Sequence, residues 1–125
     1  MILEMAVLQV KPGRASDFQE AFREAAPIIA GAAGHIAHEL HRCVEDPDRF
    51  LLLVRWQTLD DHTRGFRGSP QYQRWKALLH HFYVPFPRIE HYAPLNIPPS
   101  TLQMIRRVHN RTWQWTTLGE AKLKE

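Results

Sequence analysis

The chain has 125 residues, which is enough for one domain with a buried core and too few for two. Its 44% hydrophobic and 23% charged content is ordinary for a globular protein and indicates neither disorder nor a membrane-spanning segment. The formal net charge of +3 comes from residues 96–125, which carry five Lys/Arg against two Glu; the rest of the chain has eleven basic and eleven acidic residues. Because phosphate binding depends on clustered Lys/Arg, a neutral body argues against nucleic acid as a partner.

The cysteine content and the first residues indicate the compartment. Cys43 is the single cysteine, so an internal disulfide is excluded, and we expect it to be a small buried residue of a strand. The first residues carry no basic region, and Glu4 interrupts their apolar run. This pattern predicts a first strand and not a signal peptide, and we therefore expect a cytoplasmic protein.

Residues 2–10 and 50–56 each predict a strand that is apolar on both faces. One face of the first strand carries Leu3, Met5 and Val7. The opposite face carries Ala6, Leu8, Val10 and, near the open end, Glu4. Since so short a chain has too few helices to cover a sheet on both sides, we expect helices on one face and a second copy of the chain, as a homodimer, on the other.

The first predicted helix begins at a capping box, residues 16–19, and ends at residues 31–34, where two glycines lie. Its apolar stripe recurs at spacings of three and four and comprises Phe18, Phe22, Ala25, Ala26 and Ile29. Pro27 lies inside this pattern, which predicts a kinked last turn or a break in the helix.

The remaining elements complete a β-α-β-β-α-β order. Residues 35–44 predict a strand that joins 50–56 in an antiparallel hairpin. A short helix follows from residues 58–61 to about Phe66, and Ser69-Pro70 begins another that runs to about Phe82. Residues 88–93 supply a fourth strand. This order predicts an α+β, ferredoxin-like fold with a four-stranded antiparallel sheet.

Residues 61–75, with the sequence DHTRGFRGSPQYQRW, carry a family resemblance. They follow the aliphatic strand that ends in Arg55-Trp56 and precede a strand like residues 89–92. In this order of elements the chain resembles the antibiotic biosynthesis monooxygenase family over about residues 2–95, and the Gly-Phe-Arg-x-Ser-Pro-x-Tyr piece is the specific part. The resemblance implies a dimeric α+β barrel. It does not fix a reaction, because such domains include cofactor-free oxygenases of polycyclic phenols, haem-degrading enzymes, isomerases and signal-processing enzymes.

A cofactor-independent oxygenase of a phenol-like aromatic substrate needs a base, an apolar cavity that holds the substrate beside O₂, and donors that stabilise the developing anion. Histidine suits the base because its ordinary pKa is about 6.5. We predict His62 as the general base, with Arg55 or Tyr72 stabilising the anion. A helix-surface or capping role for His62 is the alternative. At the level of function, a non-catalytic binding domain of the same fold is the alternative to the enzyme.

Six further residues are predicted to contact the substrate: Trp56, Phe66, Trp75, His80, Tyr83 and His91. Phe66, Tyr72 and Trp75 follow His62 at near-helical spacing and are expected to wall a pocket, whereas Trp56 is also expected to pack in the core. His80 and His81 point about 100° apart on a helix, so at most one of them faces the interior.

No metal or cofactor is predicted. His35, His38 and His41 have the look of a ligand run, but alternation along a strand places His38 opposite the other two. Relatives of the same fold include haem-binding proteins, which hold haem through a histidine on a helix. Here the expected place is filled by Trp75-Lys76, and the first strand lacks an asparagine, so haem is the weaker alternative.

Residues 96–125 lie outside the resemblance and form a basic C-terminal extension. Residues 100–103 repeat a capping-box pattern, and Leu102, Ile105 and Val108 predict a short helix that ends near His109. Trp113 and Trp115 then alternate with polar residues as in a strand. Because two exposed tryptophans would be costly, we expect an arm packed on the same or the partner subunit, with disorder as the alternative. An interaction module built around this extension is a third functional hypothesis.

Overall fold

The computed structural model describes residues 1–97, 102–105 and 114–117. The chain divides into two compact units, Met1–Pro94 and Leu95–Glu125. Among the helices in the described ranges, none has the length and apolar character needed to cross a membrane.

The first unit is a four-stranded antiparallel sheet with helices packed on it. Its strands are β1 (Ile2–Gln9), β2 (His35–Arg42), β3 (Arg49–Trp56) and β4 (Ile89–Tyr92), in the spatial order β2-β3-β1-β4. The helical elements are α1 (Ala15–Ala30), a π-helical segment (Asp61–Phe66), α2 (Pro70–Leu79) and a 3₁₀ turn (His80–Phe82). This is the predicted ferredoxin-like α+β fold, so the prediction of the fold is confirmed.

The inner face of the sheet, which packs against the helices, forms the core of this unit. Its side chains on β1 and β3 are almost fully buried: Ala6, Leu8, Phe50, Leu52, Val54 and Trp56. They pack with the apolar stripe of α1, where Phe18, Phe22, Ala25 and Ile29 are buried as predicted, and with Trp75 and Leu79 of α2. Burial of this stripe is the main stabilisation available to α1, because isolated helices of its length are marginal in water.

The outer face of the same strands remains accessible to solvent in the single chain. Val7 is 48% exposed. Leu3, Met5, Leu51 and Leu53 are partly buried, and in the register of the sheet Val7 lies opposite Leu51 and Met5 opposite Leu53. An apolar strip of this kind in the middle of a sheet is typical of an interaction surface.

The start of α1 differs from the prediction, whereas its end at Gly31 agrees with it. The helix begins at Ala15 after Arg14, no side chain caps it, and Ser16 lies in the first turn, so the predicted capping box is wrong. Arg14 instead donates from Nε to Asp17 Oδ2 at 3.0 Å. Pro27 does not break the helix, which continues to Ala30. A proline removes one backbone donor, and burial of the α1 stripe outweighs this local loss.

A β-bulge changes β2. The register of β2 against β3 shifts between His35 and Ala37. The extra residue reverses the alternation, so that His35 Nε2 lies 2.8 Å from His38 Nδ1. The prediction that His38 faces away from His35 is therefore wrong, because strict alternation holds only in a strand without a bulge. Cys43 also lies beyond the end of β2 and is only partly buried, not a core residue of the strand.

The second unit contains two short antiparallel strands, β5 (Leu102–Ile105) and β6 (Gln114–Thr117). The predicted helix is wrong for residues 102–105, because pairing with a partner strand satisfies the backbone there and spacing alone cannot reveal that partner. The predicted strand is confirmed at Trp115. Other residues of these predictions, Ser100, Thr101, Val108, His109 and Trp113, lie outside the described residues.

Candidate active site

A cavity of about 360 Å³ lies between the inner face of the sheet and the helical side of the first unit. Small-molecule sites commonly have volumes of about 300–1,000 Å³. Six of the nine residues predicted for the site line this cavity: His62, Phe66, Tyr72, Trp75, His80 and Tyr83. The structure thus brings most of the predicted site together in one space.

A larger cavity of about 440 Å³ lies between the end of α1 and the start of α2. Its wall includes Pro27, Ile28 and Phe66, and the charged side chain in it is Arg74, which lies 3.7 Å from Glu24. Because this wall has no histidine or carboxylate, the smaller cavity is the better candidate for acid–base chemistry.

Three contacts around the π-helical segment position His62. Thr58 N–H donates to Asp61 Oδ2 at 3.0 Å, and Asp61 N–H donates back to Thr58 Oγ1 at 3.1 Å, which is the reciprocal pattern of a capping box. Gly34 packs directly on this cap, with a φ of +82°, and a Cβ on it would lie 2.2 Å from Asp61 Cγ. π-helical turns are rare and often occur at functional sites, and here His62 is the second residue of one.

His62 lies in the middle of a row of three polar side chains. It is 4% exposed, as is Glu4, and these are the two buried polar side chains in the described part of the chain. His62 Nδ1 lies 2.7 Å from His91 Nε2, and its Nε2 lies 3.4 Å from Glu4 Oε1. Trp56 Nε1 donates to the same Glu4 oxygen at 2.9 Å, and its ring stacks on His62 with centroids 5.3 Å apart. His62 is therefore hydrogen-bonded through one nitrogen and faces Glu4 with the other, and the residue is neither exposed nor a cap.

The electrostatics of this row follow from burial. Burial lowers the pKa of His62 to about 3, and the charges of Arg67 and His91 act in the same direction. Burial raises the pKa of Glu4, while the hydrogen bond from Trp56 and the charge of Arg67 oppose the rise. Burial and Arg67 also lower the pKa of His91. His62 is thus a neutral imidazole at pH 7. It contacts Glu4, whose raised pKa brings the energies of the protonated and ionised carboxyl group closer together at that pH.

The opposite wall of the cavity is aromatic. The ring centroid of His80 lies 5.9 Å from the ring centroid of Tyr72 and 6.0 Å from that of Tyr83. Burial raises the pKa of Tyr83 and lowers that of His80. Tyr83 is therefore a neutral hydroxyl, and His80 a neutral imidazole, at pH 7. This wall offers π faces and hydrogen-bonding groups without a fixed charge.

Three of the predicted residues lie elsewhere. Arg55 is on the outer face of the sheet, where its Nη1 lies 3.1 Å from Glu39 Oε1, so the expectation that it acts beside His62 in the same chain is corrected. Strand alternation gives the reason, because Arg55 and the cavity-facing residues of β3 have opposite parity. Trp56 is fully buried beneath His62, and His91 lies on the far side of His62 from Glu4.

Sequence reasoning missed two residues at the cavity, Glu4 and Arg67. A signal for Glu4 was present, because it is a single charge on the face of the first strand that also carries Ala6 and Leu8. Arg67 lies within the family-like piece, next to Phe66. Arg67 brings a cation near Glu4, His62 and His91.

The described residues of this unit do not form a metal-binding site. His35 and His38 form a pair, but within the described ranges no three His, Cys, Asp or Glu side chains lie close enough to hold a metal ion together. The chemistry that the residues of the candidate site can supply themselves is proton transfer, hydrogen bonding and stabilisation of an anion.

Comparisons with known proteins agree with this geometry. A family model described as antibiotic biosynthesis monooxygenase matches residues 1–78. The uncharacterized protein YczJ of Bacillus subtilis (strain 168) is 56% identical over 92 residues, which cover 74% of this chain and 97% of YczJ. The name of that relative gives no reaction.

Solved structures show the same fold. A Bordetella bronchiseptica protein provisionally named an antibiotic biosynthesis monooxygenase superposes with a TM-score of 0.72 at 35% identity, covering 75% of this chain and 96% of its own. SnoaB, a cofactor-independent oxygenase from Streptomyces nogalater, has a TM-score of 0.68 at 16% identity, covering 78% of this chain and 96% of its own. At that identity the likeness to SnoaB concerns the fold. From the family match and these relatives, the chain belongs to the antibiotic biosynthesis monooxygenase family.

Proposed function

We propose that this protein is a cofactor-independent monooxygenase that oxidises an aromatic, phenol-like substrate with O₂. The observation that carries the proposal is the row Glu4–His62–His91 at the wall of an otherwise largely aromatic and aliphatic cavity. Buried acid–base groups of this kind are uncommon outside functional sites. The family supports the reaction type, and SnoaB is an example of such chemistry on this fold.

The chemistry asks little of the protein beyond proton transfer and electrostatics. Removal of a proton from an acidic CH₂ group of the substrate leaves a carbanion that is conjugated with the ring and can give an electron to O₂. Recombination forms a carbon–oxygen bond, and the resulting hydroperoxide loses water to leave a carbonyl group. The balance is one CH₂ group and one O₂ converted to one C=O and one H₂O, so no external reductant is needed.

The cavity residues have defined roles in this proposal. The row that includes His62 accepts the proton, and a positioned base typically contributes about 10²- to 10⁴-fold in rate. Arg67 and the hydroxyl of Tyr72, both at the cavity wall, stabilise the anion. Phe66 and Trp75 pack against the substrate ring and keep water from the radical pair. Arg67 takes the place that sequence reasoning gave to Arg55.

The proposal includes a homodimer. The accessible apolar strip on the outer face, with Val7, Leu51 and Leu53 at its centre, is supported as a dimer surface by its position in the middle of the sheet. A second copy packed on this strip would give the dimeric barrel expected for the family. The cavity lies on the opposite side of the sheet, so each subunit would keep its own site.

Incubation with anthrone-type phenols under O₂ tests the proposal. We expect quinone to form faster than in buffer, without added metal, haem or flavin, with one O₂ consumed for each quinone. Saturable binding of the phenol without oxidation would instead identify a non-catalytic binding domain. A variant that lacks residues 96–125 separates the third hypothesis, since a module built around the extension would lose its partner and keep its phenol binding.

A further inference from the structure

We propose that Glu4 is the group that takes the proton from the substrate, and that His62 and His91 form a proton line that connects Glu4 to solvent. This inference rests on the proposed function and changes the role of His62 from the contacting base to the middle of a relay. Glu4 is a site residue that sequence reasoning did not assign.

The geometry favours Glu4 as the group that faces the substrate. Both Glu4 and His62 line the cavity; one nitrogen of His62 is hydrogen-bonded to His91 at 2.7 Å, and the other faces Glu4 at 3.4 Å. The nitrogen of His62 that faces Glu4 is the one placed to exchange a proton with it. The contacts of Glu4 with Trp56 and His62 both use Oε1, and the second oxygen is not used by either contact.

Burial decreases along the row. Glu4 and His62 are each 4% exposed, whereas His91, on the edge strand β4, is partly exposed. The three groups therefore form a continuous path from the wall of the cavity to the surface of the unit. A row of three hydrogen-bonding groups with its deepest member at the cavity and its outermost member near water is the arrangement that proton exchange requires.

The proton balance closes along this path. The Glu4 carboxylate accepts the substrate proton, and the electron pair stays on the substrate carbon. The new Glu4 hydroxyl then gives its proton to His62 Nε2, while His62 Nδ1–H passes a proton to His91 Nε2 and His91 Nδ1–H releases one to water. The row runs in reverse when the peroxide formed with O₂ needs a proton to lose water. One proton leaves and one returns in each turnover.

The charged and titratable groups around the row suit this role. Arg67 is close enough to favour the carboxylate form of Glu4 and to oppose protonation of both histidines. Across the cavity lie Tyr72, Tyr83 and His80, and burial keeps Tyr83 and His80 uncharged at neutral pH. No second carboxylate lies among the residues that line the cavity, so Glu4 has no competitor there as an anionic base.

A purely structural role would not require this arrangement. Glu4 occupies an inner-face position of the central strand β1, and its inner-face neighbour Ala6 is fully buried in the core. Burying a carboxyl group there is costly even with its hydrogen bond from Trp56, and an apolar residue would fill the same position without that cost. The contact with His62, and through it with the partly exposed His91, is what an apolar residue could not supply.

The first test needs no substrate. In the full-length protein labelled with ¹³C and ¹⁵N, the Glu4 carboxyl carbon and the ring nitrogens of His91 are followed by NMR from pH 4 to 9. We expect His91 to show a titration step at the pH where Glu4 ionises, and Glu4→Gln to remove that step. Glu39→Gln, on the outer face, is the matched control and should leave His91 unchanged. If His91 titrates independently of Glu4 in the wild-type protein, the proton line is wrong.

The second test uses the oxygenation of an anthrone-type phenol. Glu4→Gln is expected to lower turnover at least about hundredfold and to abolish the acidic limb of the pH–rate profile, with Glu4→Asp restoring part of the rate. His91→Phe, at a partly exposed position, should lower turnover at least about fivefold with binding of the phenol unchanged, and it serves if Glu4→Gln does not fold. Full activity in either variant overturns the proposal. If the wild-type protein is inactive, the proposed function fails and the NMR titration alone decides the proton line.

Discussion

The two faces of the sheet begin from the same kind of sequence and end in different environments. On β1 and β3 both faces carry apolar residues at alternate positions, yet the inner face is almost fully buried and Val7 on the outer face is 48% exposed. The inner face also carries the buried Glu4, and the outer face carries the partly exposed Arg55. The same alternation therefore serves two purposes: one face builds a core with a reactive group inside it, and the other forms a surface that can bind a partner.

Charged side chains on the two faces differ in their exposure to solvent. Arg55 on the outer face meets Glu39 at 3.1 Å in a contact that water can reach, and such pairs contribute little. Glu4 on the inner face is 4% exposed, accepts a hydrogen bond from Trp56 and lies 3.4 Å from His62. A charge change inside should therefore alter chemistry, whereas a change outside should alter association or nothing. The predictions below test this contrast.

The first prediction concerns His62→Ala on the inner side. We expect turnover of a phenol substrate to fall by at least about tenfold, below the usual 10²- to 10⁴-fold for a positioned base, because the row between Glu4 and His91 is interrupted. Steady-state oxygen uptake measures the loss, and circular dichroism checks that folding is intact. His81→Ala, at an exposed position, is the control and should keep full activity. If His62→Ala is fully active while His80→Ala is not, proton transfer depends on His80 and not on the row that includes His62.

The next effect concerns the outer face. Sedimentation at micromolar concentration should show a dimer for the wild-type protein, and Leu53→Glu should weaken it at least about hundredfold, since an unpaired carboxylate would be buried at the interface. Leu59→Glu, at a position that is 45% exposed, is the matched control and should remain dimeric. A stable wild-type monomer at this concentration would contradict the homodimer.

A smaller effect should separate two arginines on opposite faces. Arg67→Gln is expected to lower kcat/KM about tenfold for a phenol substrate, because hydrogen bonds to a charged group are worth about 1.5–3 kcal/mol and Arg67 lines the cavity. Arg55→Gln, across the sheet, should leave kcat/KM unchanged. Equal losses in both variants would argue that a residue of the outer face reaches the site of a neighbouring subunit.

The smallest effect is on stability and depends on pH. The folded protein raises the pKa of Glu4 above its ordinary value of 4.5, so the folded state binds more protons than the unfolded state above that pH. The stability contributed by protonated Glu4 is present below about 4.5 and is lost as pH rises through the folded pKa. Thermal unfolding should therefore show Glu4→Gln gaining a few degrees on the wild-type protein between pH 4.5 and 8. A constant difference would mean that burial does not shift Glu4.

His62 contributes a dependence of opposite sign, which the same scan can separate. Its folded pKa of about 3 lies below the ordinary 6.5, so the unfolded state binds more protons in that window and stability falls as pH drops from about 6.5 toward 3. Because wild-type and Glu4→Gln proteins share His62, the difference between their unfolding temperatures chiefly reports Glu4.

Much of the fold was predictable because it depends on local patterns. The doubly apolar strands, the α1 stripe and the Ser69-Pro70 helix start are each encoded within a few residues, and the family-like piece indicates their order. The start of α1 failed because a capping-box pattern is short and also occurs inside a first turn. The strand at residues 102–105 failed because its partner lies elsewhere in the chain.

Many residues of the candidate site were predictable from the sequence, but the contacts between them were less so. Helical spacing brought His62, Phe66, Tyr72 and Trp75 to one cavity. Spacing could not show that β1 and β4 pair so that Glu4 lies opposite His91, with His62 between their side chains. Nor could it show the bulge that joins His35 and His38, since one extra residue in a strand leaves no reliable trace in the sequence.

Gly34 shows how a residue without a side chain can fix the position of a buried histidine. It has no atom in the cavity, but any larger residue at this position would push on Asp61, which caps the segment that carries His62. The φ of +82° adds a second reason for glycine. A change from glycine to alanine here would therefore displace Asp61 and His62, although every side chain of the cavity wall would still be present in the sequence. A search for inactive natural variants that looks only at the cavity wall would overlook this position.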